Sequence, residues 1–449
     1  MTIKPFVVAG IATAAALATH AFPAPPPIVW TAEGNQTSAG LGADVASAGD
    51  VNGDGYGDVI VGAPIHGFPF SKGRAMVYHG SSTGLATMPA WTAEGWEPVV
   101  FWPVYFGRAV ASAGDVNGDG YGDVIVGAPE YDNDQITEGA AFVYLGSATG
   151  LGQQPAWQAE GNHEGARFGS SVASAGDVNG DGYGDVIVGA PFHKKGRVWV
   201  YLGSAAGLSD RPAWRAAGDG STDGFGSSVA SAGDVDGDGY ADLIVGTDDF
   251  FGGRIFVYRG SPTGPLQPPW RAGISGPSGF FGHAVNSAGD VNGDGYSDVI
   301  VGEYWFGQGT QFHKGRALVY HGSSAGLEPK PSWIAVGASV EQGFGFDVST
   351  AGDVNGDGYS DVVVGALYIP DFAQGTAGLV RVYLGSPSGL AAAPAWERGG
   401  QPASFFGSAV STAGDVDGDG YDEVIVGAPG YDNGHQDEGA AFAYAGSPP

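Results

Sequence analysis

The chain contains no cysteine. Disulfides, thiolate metal sites, a cysteine nucleophile and a lipid anchor on cysteine are therefore excluded, whereas export is not, because many exported bacterial proteins also lack the residue. Cationic side chains are scarce, with 18 Lys and Arg against 48 Asp and Glu, for a formal charge of −30. That balance repels phosphate backbones and anionic lipid, so no nucleic-acid partner is expected. Long apolar runs are missing as well. The one such stretch, Phe6–Ala18, is too short to span a bilayer. With Lys4 before it and Thr19-His20-Ala21 after it, it has the form of a secretory signal over residues 1–21. The expected location is secreted, at the cell surface or in the periplasm, with residues 22–27 a Pro-rich spacer. No segment has the 3.6-residue period of a helix.

What the chain has in abundance is glycine, 82 residues placed at recurring offsets, which reads as turn chemistry in an all-β protein. The string AGDVNGDGYGDVIVGAP begins at Ala48, and close copies follow at Ala113, Ala175, Ala232, Ala288, Ala351 and Ala413. Each unit predicts four short strands. A Gly-x-x-Val-x-Ser/Thr-Ala-Gly strand precedes an acidic loop, and an apolar strand such as Val59-Ile60-Val61 follows it. A third strand of the type Arg197–Tyr201 ends in Gly-Ser-x-x-Gly, and a fourth carries Trp. That pattern matches a propeller blade, in which a strand covered on both faces is apolar throughout.

The Trp strands stand at Trp30, Trp91, Trp157, Trp214, Trp270, Trp333 and Trp396, one step ahead of the acidic loops. The offset predicts a seven-bladed all-β propeller over residues 28–449, with Ile28 to Gly34 completing the last four-stranded antiparallel blade and closing the ring. A solenoid would need distinct caps and shows no such offset.

The acidic loop places oxygen donors at positions 1, 3, 5 and 9, with a backbone carbonyl at 7 and Gly at 6 for the turn. Hard oxygen ligands so spaced suit Ca²⁺. The first loop offers Asp50, Asn52, Asp54, Tyr56 and Asp58, and the second Asp115, Asn117, Asp119, Tyr121 and Asp123. The third has Asp177, Asn179, Asp181, Tyr183 and Asp185, and the fourth Asp234, Asp236, Asp238, Tyr240 and Asp242. Then come Asp290, Asn292, Asp294, Tyr296 and Asp298, and Asp353, Asn355, Asp357, Tyr359 and Asp361. The seventh loop, Asp415, Asp417, Asp419, Tyr421 and Glu423, has the longer Glu at position 9, so a distorted or weaker site is expected there. Position 12 is Val61 and strands flank the loop, so it is a hairpin calcium loop and not an EF-hand. Up to seven structural Ca²⁺ are expected, which would bring the formal charge to about −16.

Phe-Gly at 106–107, 168–169, 225–226, 281–282, 344–345 and 406–407 (Leu41-Gly42 in the first unit) precedes each loop, and Gly-Ala-Pro follows at 62–64, 127–129, 189–191 and 427–429. In that order the motifs resemble the FG-GAP repeat of integrin α-subunit propellers. Gly246-Thr247, Gly302-Glu303 and Gly365-Ala366-Leu367 depart from GAP. The resemblance implies a calcium-carrying propeller whose upper face binds ligand. No leg domain, inserted domain or membrane span follows the repeats, so the likeness is to a free-standing, bacterial-style protein, without integrin heterodimer partners.

Strand alternation puts the acidic and Gly-Ser-x-x-Gly loops on one face and the variable connections on the other. Loops of the second kind usually carry recognition. Its aromatic candidates are Trp96, Trp102 and Tyr105 before the second blade and Tyr304, Trp305 and Phe306 in the fifth, able to bind a ligand or to plug the channel. Phe68, Phe70, Phe250, Phe251, Tyr368 and Phe372 also fall there. His66, His163, His193, His283, His313 and His435 are scattered over that face without a catalytic motif, so catalysis is not expected. The favoured expectation is a monomeric adhesion or ligand-recognition module for an extracellular protein or glycan. A lectin predicts equivalent pockets between blades. An extracellular hydrolase or lyase on polysaccharide or phospholipid predicts one asymmetric cleft.

Overall fold

The computed structural model describes residues 25–67, 72–95, 103–219, 224–249, 253–273, 279–307, 313–338, 342–367 and 377–447. They form seven four-stranded antiparallel sheets arranged in a ring. Blade 1 runs outward from the axis as Asp44–Gly49, Asp58–Ala63, Arg74–Tyr78 and Trp91–Glu94. Blades 2 to 6 repeat this order. Blade 7 uses Ala409–Gly414, Glu423–Ala428 and Ala440–Tyr444 and takes its outermost strand, Ile28–Glu33, from the start of the chain. The expected closure is thus present, with Glu33 opposite Ala440 and Ile28 opposite Tyr444. Among the described residues no helix is long and apolar enough to cross a membrane.

The second strand of each blade is buried along its whole length, as in Asp58–Ala63. Neighbouring blades cover both of its faces, and each fully buried Val or Ile contributes about 1.5–3 kcal/mol. Every innermost strand ends in a bulge. The Gly before each acidic loop, from Gly49 to Gly414, has φ between 71° and 78° and breaks the ladder one residue early, which turns the chain into the loop.

The Trp residues join blades rather than fill one. Each ring packs on the Tyr that ends the third strand of the next blade, from Trp30–Tyr78 at 4.8 Å between centroids to Trp396–Tyr444 at 5.5 Å. Four indole N–H groups donate to a backbone carbonyl of that next blade, for example Trp91 Nε1 to Gly152 at 2.9 Å.

Phe-Gly and Gly-Ala-Pro meet across the same joints. A Cβ on Gly62 would strike the carbonyl oxygen of Gly107 in blade 2, and the same holds at Gly127, Gly189, Gly246, Gly302, Gly365 and Gly427. The glycine of GAP is therefore a contact requirement. It persists in the three blades that depart from Ala-Pro after it.

Candidate functional site

On the lower face the acidic loops share one geometry. In blade 1, Asp50 Oδ1 accepts the N–H groups of Gly53 and Asp54 at 2.6 and 3.1 Å, and Oδ2 accepts that of Gly55 at 2.8 Å. Asp54 Oδ1 accepts from Tyr56, and Asn52 Nδ2 donates to Asp54 Oδ2 at 2.9 Å. Asp58 lies underneath, fully buried, and takes the N–H of Val51 on one oxygen and of Gly80 on the other. Glu423 in blade 7 reaches the same two donors, Val416 at 3.0 Å and Gly446 at 3.2 Å.

Burial pushes the position-9 carboxyls up despite those donors. They reach about 6 at Asp58 and Asp123 and about 7 at Asp185, Asp242, Asp298, Asp361 and Glu423. In blades 4 and 7, where position 3 is also an acid, carboxylate oxygens at positions 1, 3 and 9 come within 4.8 Å of one another: Asp234, Asp236 and Asp242, and Asp415, Asp417 and Glu423. Arg259 pairs with Asp236 Oδ2 at 2.8 Å, yet Asp236 Oδ1 is buried without a hydrogen-bond partner among the described residues. Converging carboxylate oxygens, one of them orphaned, fit a hard cation such as Ca²⁺. The five loops with Asn at position 3 carry the amide oxygen in its place, as Asn52 does.

The loops also interlock around the ring. The Tyr at position 7 lays its ring against the position-4 Gly of the preceding blade, Tyr121 on Gly53 and, across the closure, Tyr56 on Gly418. The residue after that Tyr donates its N–H to the carbonyl of the preceding loop's first Asp, from Gly122 to Asp50 at 2.8 Å through Gly57 to Asp415 at 2.9 Å.

The upper face is built from three repeated positions. The residue after Phe-Gly is Ala43, Arg108, Ser170, Ser227, His283, Phe346 and Ser408 in turn, and all seven line a cavity of about 800 Å³ at the channel mouth. The residue before Phe-Gly has φ between 52° and 64° in every blade. Blades 1, 4 and 6 use Gly40, Gly224 and Gly343, but the others place Tyr105, Arg167, Phe280 and Phe405 in that left-handed region. The third set follows the GAP glycine by two residues and includes Pro129, Pro191 and Asp248.

The mouth is asymmetric. On the blade 2–3 side stand Arg108, Arg167, Lys194 and Lys195, with Arg167 paired to Glu130 at 2.8 Å and set over the Phe192 ring at 4.8 Å. At the joint of blades 4 and 5 His283 Nδ1 lies 3.0 Å from Asp248 Oδ1. Below the mouth, Asp44 and Asp347 line the channel. Each accepts the N–H of a Val in the next blade, Val110 at 2.8 Å and Val410 at 2.7 Å, and burial raises their carboxyls to about 6 and about 7.

The aromatic candidates divide. Tyr105 lines the cavity, whereas Trp96 and Trp102 lie outside the described residues. Tyr304 stacks on Phe280 at 5.2 Å and touches His283 and Phe346. Trp305 packs on His313 at 3.6 Å, and Phe306 sits under Arg316 at 3.9 Å. Arg316 in turn holds the buried Glu303 at 2.5 Å. These three rings pack beside the mouth, half-buried, instead of lining it. The sequence reading missed Arg108, Arg167, Phe192, Lys194, Lys195 and Phe405. Their signal was available, since most flank Phe-Gly or follow GAP, positions at which the repeats disagree.

The FG-GAP repeat matches residues 41–78, 106–145, 168–201, 344–383 and 406–444, and an FG-GAP-like repeat matches residues 234–301. Together these cover more than half of the chain, and it belongs to the FG-GAP repeat proteins, with an integrin-α-like seven-bladed propeller. It is 34% identical to mouse integrin alpha-8 over 234 residues, 49% of this chain and 21% of that protein. Integrin alpha-5 of Xenopus laevis is 33% identical over 247 residues, 50% of this chain and 22% of that one. Integrin alpha-3 of Cricetulus griseus is 42% identical over 151 residues, 32% and 14% of the two chains. The chain thus spans about a fifth or less of the length of these relatives. Two solved structures are similar over most of the chain: the Dos1 propeller (10% identity, 87% of this chain and 75% of that one, TM-score 0.42) and the rhamnogalacturonan lyase YesW (15%, 90% and 72%, 0.45). At those scores neither adds to the assignment.

Proposed function

We propose that this chain is a secreted, calcium-stabilised recognition module of the adhesion type, engaging an extracellular protein or glycan through its upper face. The observation that carries the reading is the contrast between faces. The same backbone positions ring the upper mouth seven times, and their side chains differ from blade to blade, while the lower loops repeat almost unchanged. Variable side chains on a rigid scaffold are the usual build of a binding site. Integrin α-subunits are the relatives found, and a ligand-binding role for the propeller comes to this chain by that likeness.

In this reading residues 1–21 are a signal peptide, 22–27 a spacer and 28–449 the propeller, acting as a monomer. The seven loops from Asp50 to Glu423 each hold one Ca²⁺ by carboxylate and amide oxygens and the Tyr carbonyl. Bound cations would offset the carboxylates that crowd the lower rim and tighten the joints between blades. Single-mouth asymmetry runs against the lectin reading, which requires equivalent pockets between blades. The His283–Asp248 pair is a feature of the mouth that an enzyme could use, as a single acid–base pair.

The test is an array of extracellular-matrix proteins and glycans probed with the calcium-loaded chain and with an Arg108→Ala/Phe405→Ala variant. Hits lost in the variant support the upper face. Hits of equal strength in both would move recognition elsewhere.

A further inference from the structure

We propose that the upper mouth takes a carboxylate-bearing saccharide, its acid groups held by the cations of blades 2 and 3 and its sugar faces laid against the rings beside them. The inference rests on the reading of this face as the recognition face. In a chain with only 18 cationic side chains, four of them, Arg108, Arg167, Lys194 and Lys195, line one cavity. The two carboxylates that line it are both engaged, Glu130 by Arg167 and Asp248 by His283. Arg108, Lys194 and Lys195 are exposed and make no ion pair among the described residues. The mouth is therefore a positive island on a molecule of charge −30, and a cleft of one sign focuses its field on ligands of the other.

Backbone conformation points the same way. Arg167 holds φ at 52° where three other blades use Gly, and Lys194 holds φ at 58°. An L-residue in the left-handed region costs about 1–2 kcal/mol, and residues so strained cluster at binding sites, although the turn before Phe-Gly imposes this conformation in every blade. Here it aims a guanidinium and an ammonium at the same space.

The class of ligand follows from what accompanies the charges. Phe192 is 60% exposed, far more than a packed ring, and Phe405 is 39% exposed across the mouth. Exposed rings interleaved with cations match a chain of pyranose faces interleaved with carboxylates. One recurring way to grip an extended peptide is through its backbone, by a free strand edge. The mouth offers turns and side chains; the inner edge of each sheet lines the channel below it, where Asp44 and Asp347 already take the N–H groups of Val110 and Val410. A volume of about 800 Å³ lies within the range of small-ligand sites.

The test is calorimetric titration of the calcium-loaded full chain with uronate oligosaccharides, namely oligogalacturonate and alginate oligomers, at low salt. Neutral oligosaccharides of equal length and poly-glutamate serve as comparison arms. Binding to a uronate oligomer is expected, weakened about tenfold or more in Arg167→Ala and in the Lys194→Ser/Lys195→Ser double variant, and suppressed by 0.5 M NaCl. Unchanged melting temperatures in the variants would confirm that folding is intact. No uronate binding, or equal binding by wild type and variants, overturns the inference. Poly-glutamate bound in preference, and lost in the same variants, also overturns it while leaving the recognition face in place. If the array ligands ignore every mouth variant, the recognition face itself fails.

Discussion

On the lower face, the loop after Gly49 and its six counterparts present side-chain oxygens at the same spacing, and each interlocks with the next through a Tyr ring and a backbone hydrogen bond. On the upper face, equivalent backbone positions carry Ala43, Arg108, His283 or Phe346. A change in one lower loop would disturb two joints, because the position-7 Tyr reaches back one blade while the loop's own Gly receives the next Tyr. A change at the mouth alters only what faces the cavity. Uniformity therefore belongs where blades grip one another, and diversity where nothing but a ligand need be satisfied.

The largest expected effect comes from removing metal. EGTA should lower the melting temperature by about 10 °C or more, since the seven sites proposed above would each add a contribution linked to folding. An unchanged melt would separate the lower loops from calcium altogether. Next is Trp91→Ala, which removes a nearly buried indole from the joint between blades 1 and 2 and should cost about 3–5 kcal/mol in denaturant unfolding. Gly127→Ala forces a methyl against the Gly169 carbonyl and should cost about 1–3 kcal/mol, although it adds only one carbon. A negligible cost would mean that the joints are looser than the interlock implies.

The channel beneath the mouth makes a pH-dependent prediction. Burial raises the Asp347 carboxyl from its ordinary value near 3.8 to about 7, with Asp44 adding repulsion and the Val410 N–H opposing. The folded chain then holds this proton more tightly than the unfolded chain. The resulting stability is full below pH 3.8 and is lost as pH rises through 7. Relative to Asp347→Asn, the wild type should lose stability between pH 4 and pH 7, by about 1 kcal/mol after allowance for solvent in the channel. A difference that stays flat over that range would show that the channel solvates the carboxylate fully. The smallest effect is expected at the mouth. Tyr105→Gly relieves a left-handed residue and frees the unfolded chain, so stability should stay within about 1 kcal/mol. A loss beyond about 2 kcal/mol would make Tyr105 a packing residue and blur the contrast between faces.

Much of this was legible in residue order. Trp30 before the first loop and no Trp strand after Tyr444 announced the closure, and Ile28–Glu33 does pair with Ala440–Tyr444. The alternation of oxygens from Asp50 to Asp58 is a local pattern, and locally it folds as a loop whose Asp50 and Asp54 carboxylates accept its own N–H groups. Aromatic density was a poorer guide. Tyr304 and Trp305 pack on each other and Phe306 on Arg316, because rings in one loop find partners before they find a ligand. The cations of the mouth were overlooked because Arg108, Arg167 and Lys194 belong to different stretches of chain, and each alone resembles a solvated surface residue.

Blade number, closure and the form of the acidic loops were determined by the sequence itself, since each depends on a short pattern and on how often it recurs. Only the tertiary structure decided that Arg108, Arg167 and Lys195 share one cavity with Phe405 and His283, from positions as much as about 300 residues apart. It also decided that the GAP glycine is demanded by a neighbour's carbonyl and not by its own turn. The reason is the ring. A blade's strands are fixed by its own residues, but what stands beside them is set by the rotation from one blade to the next, and no single repeat encodes that angle.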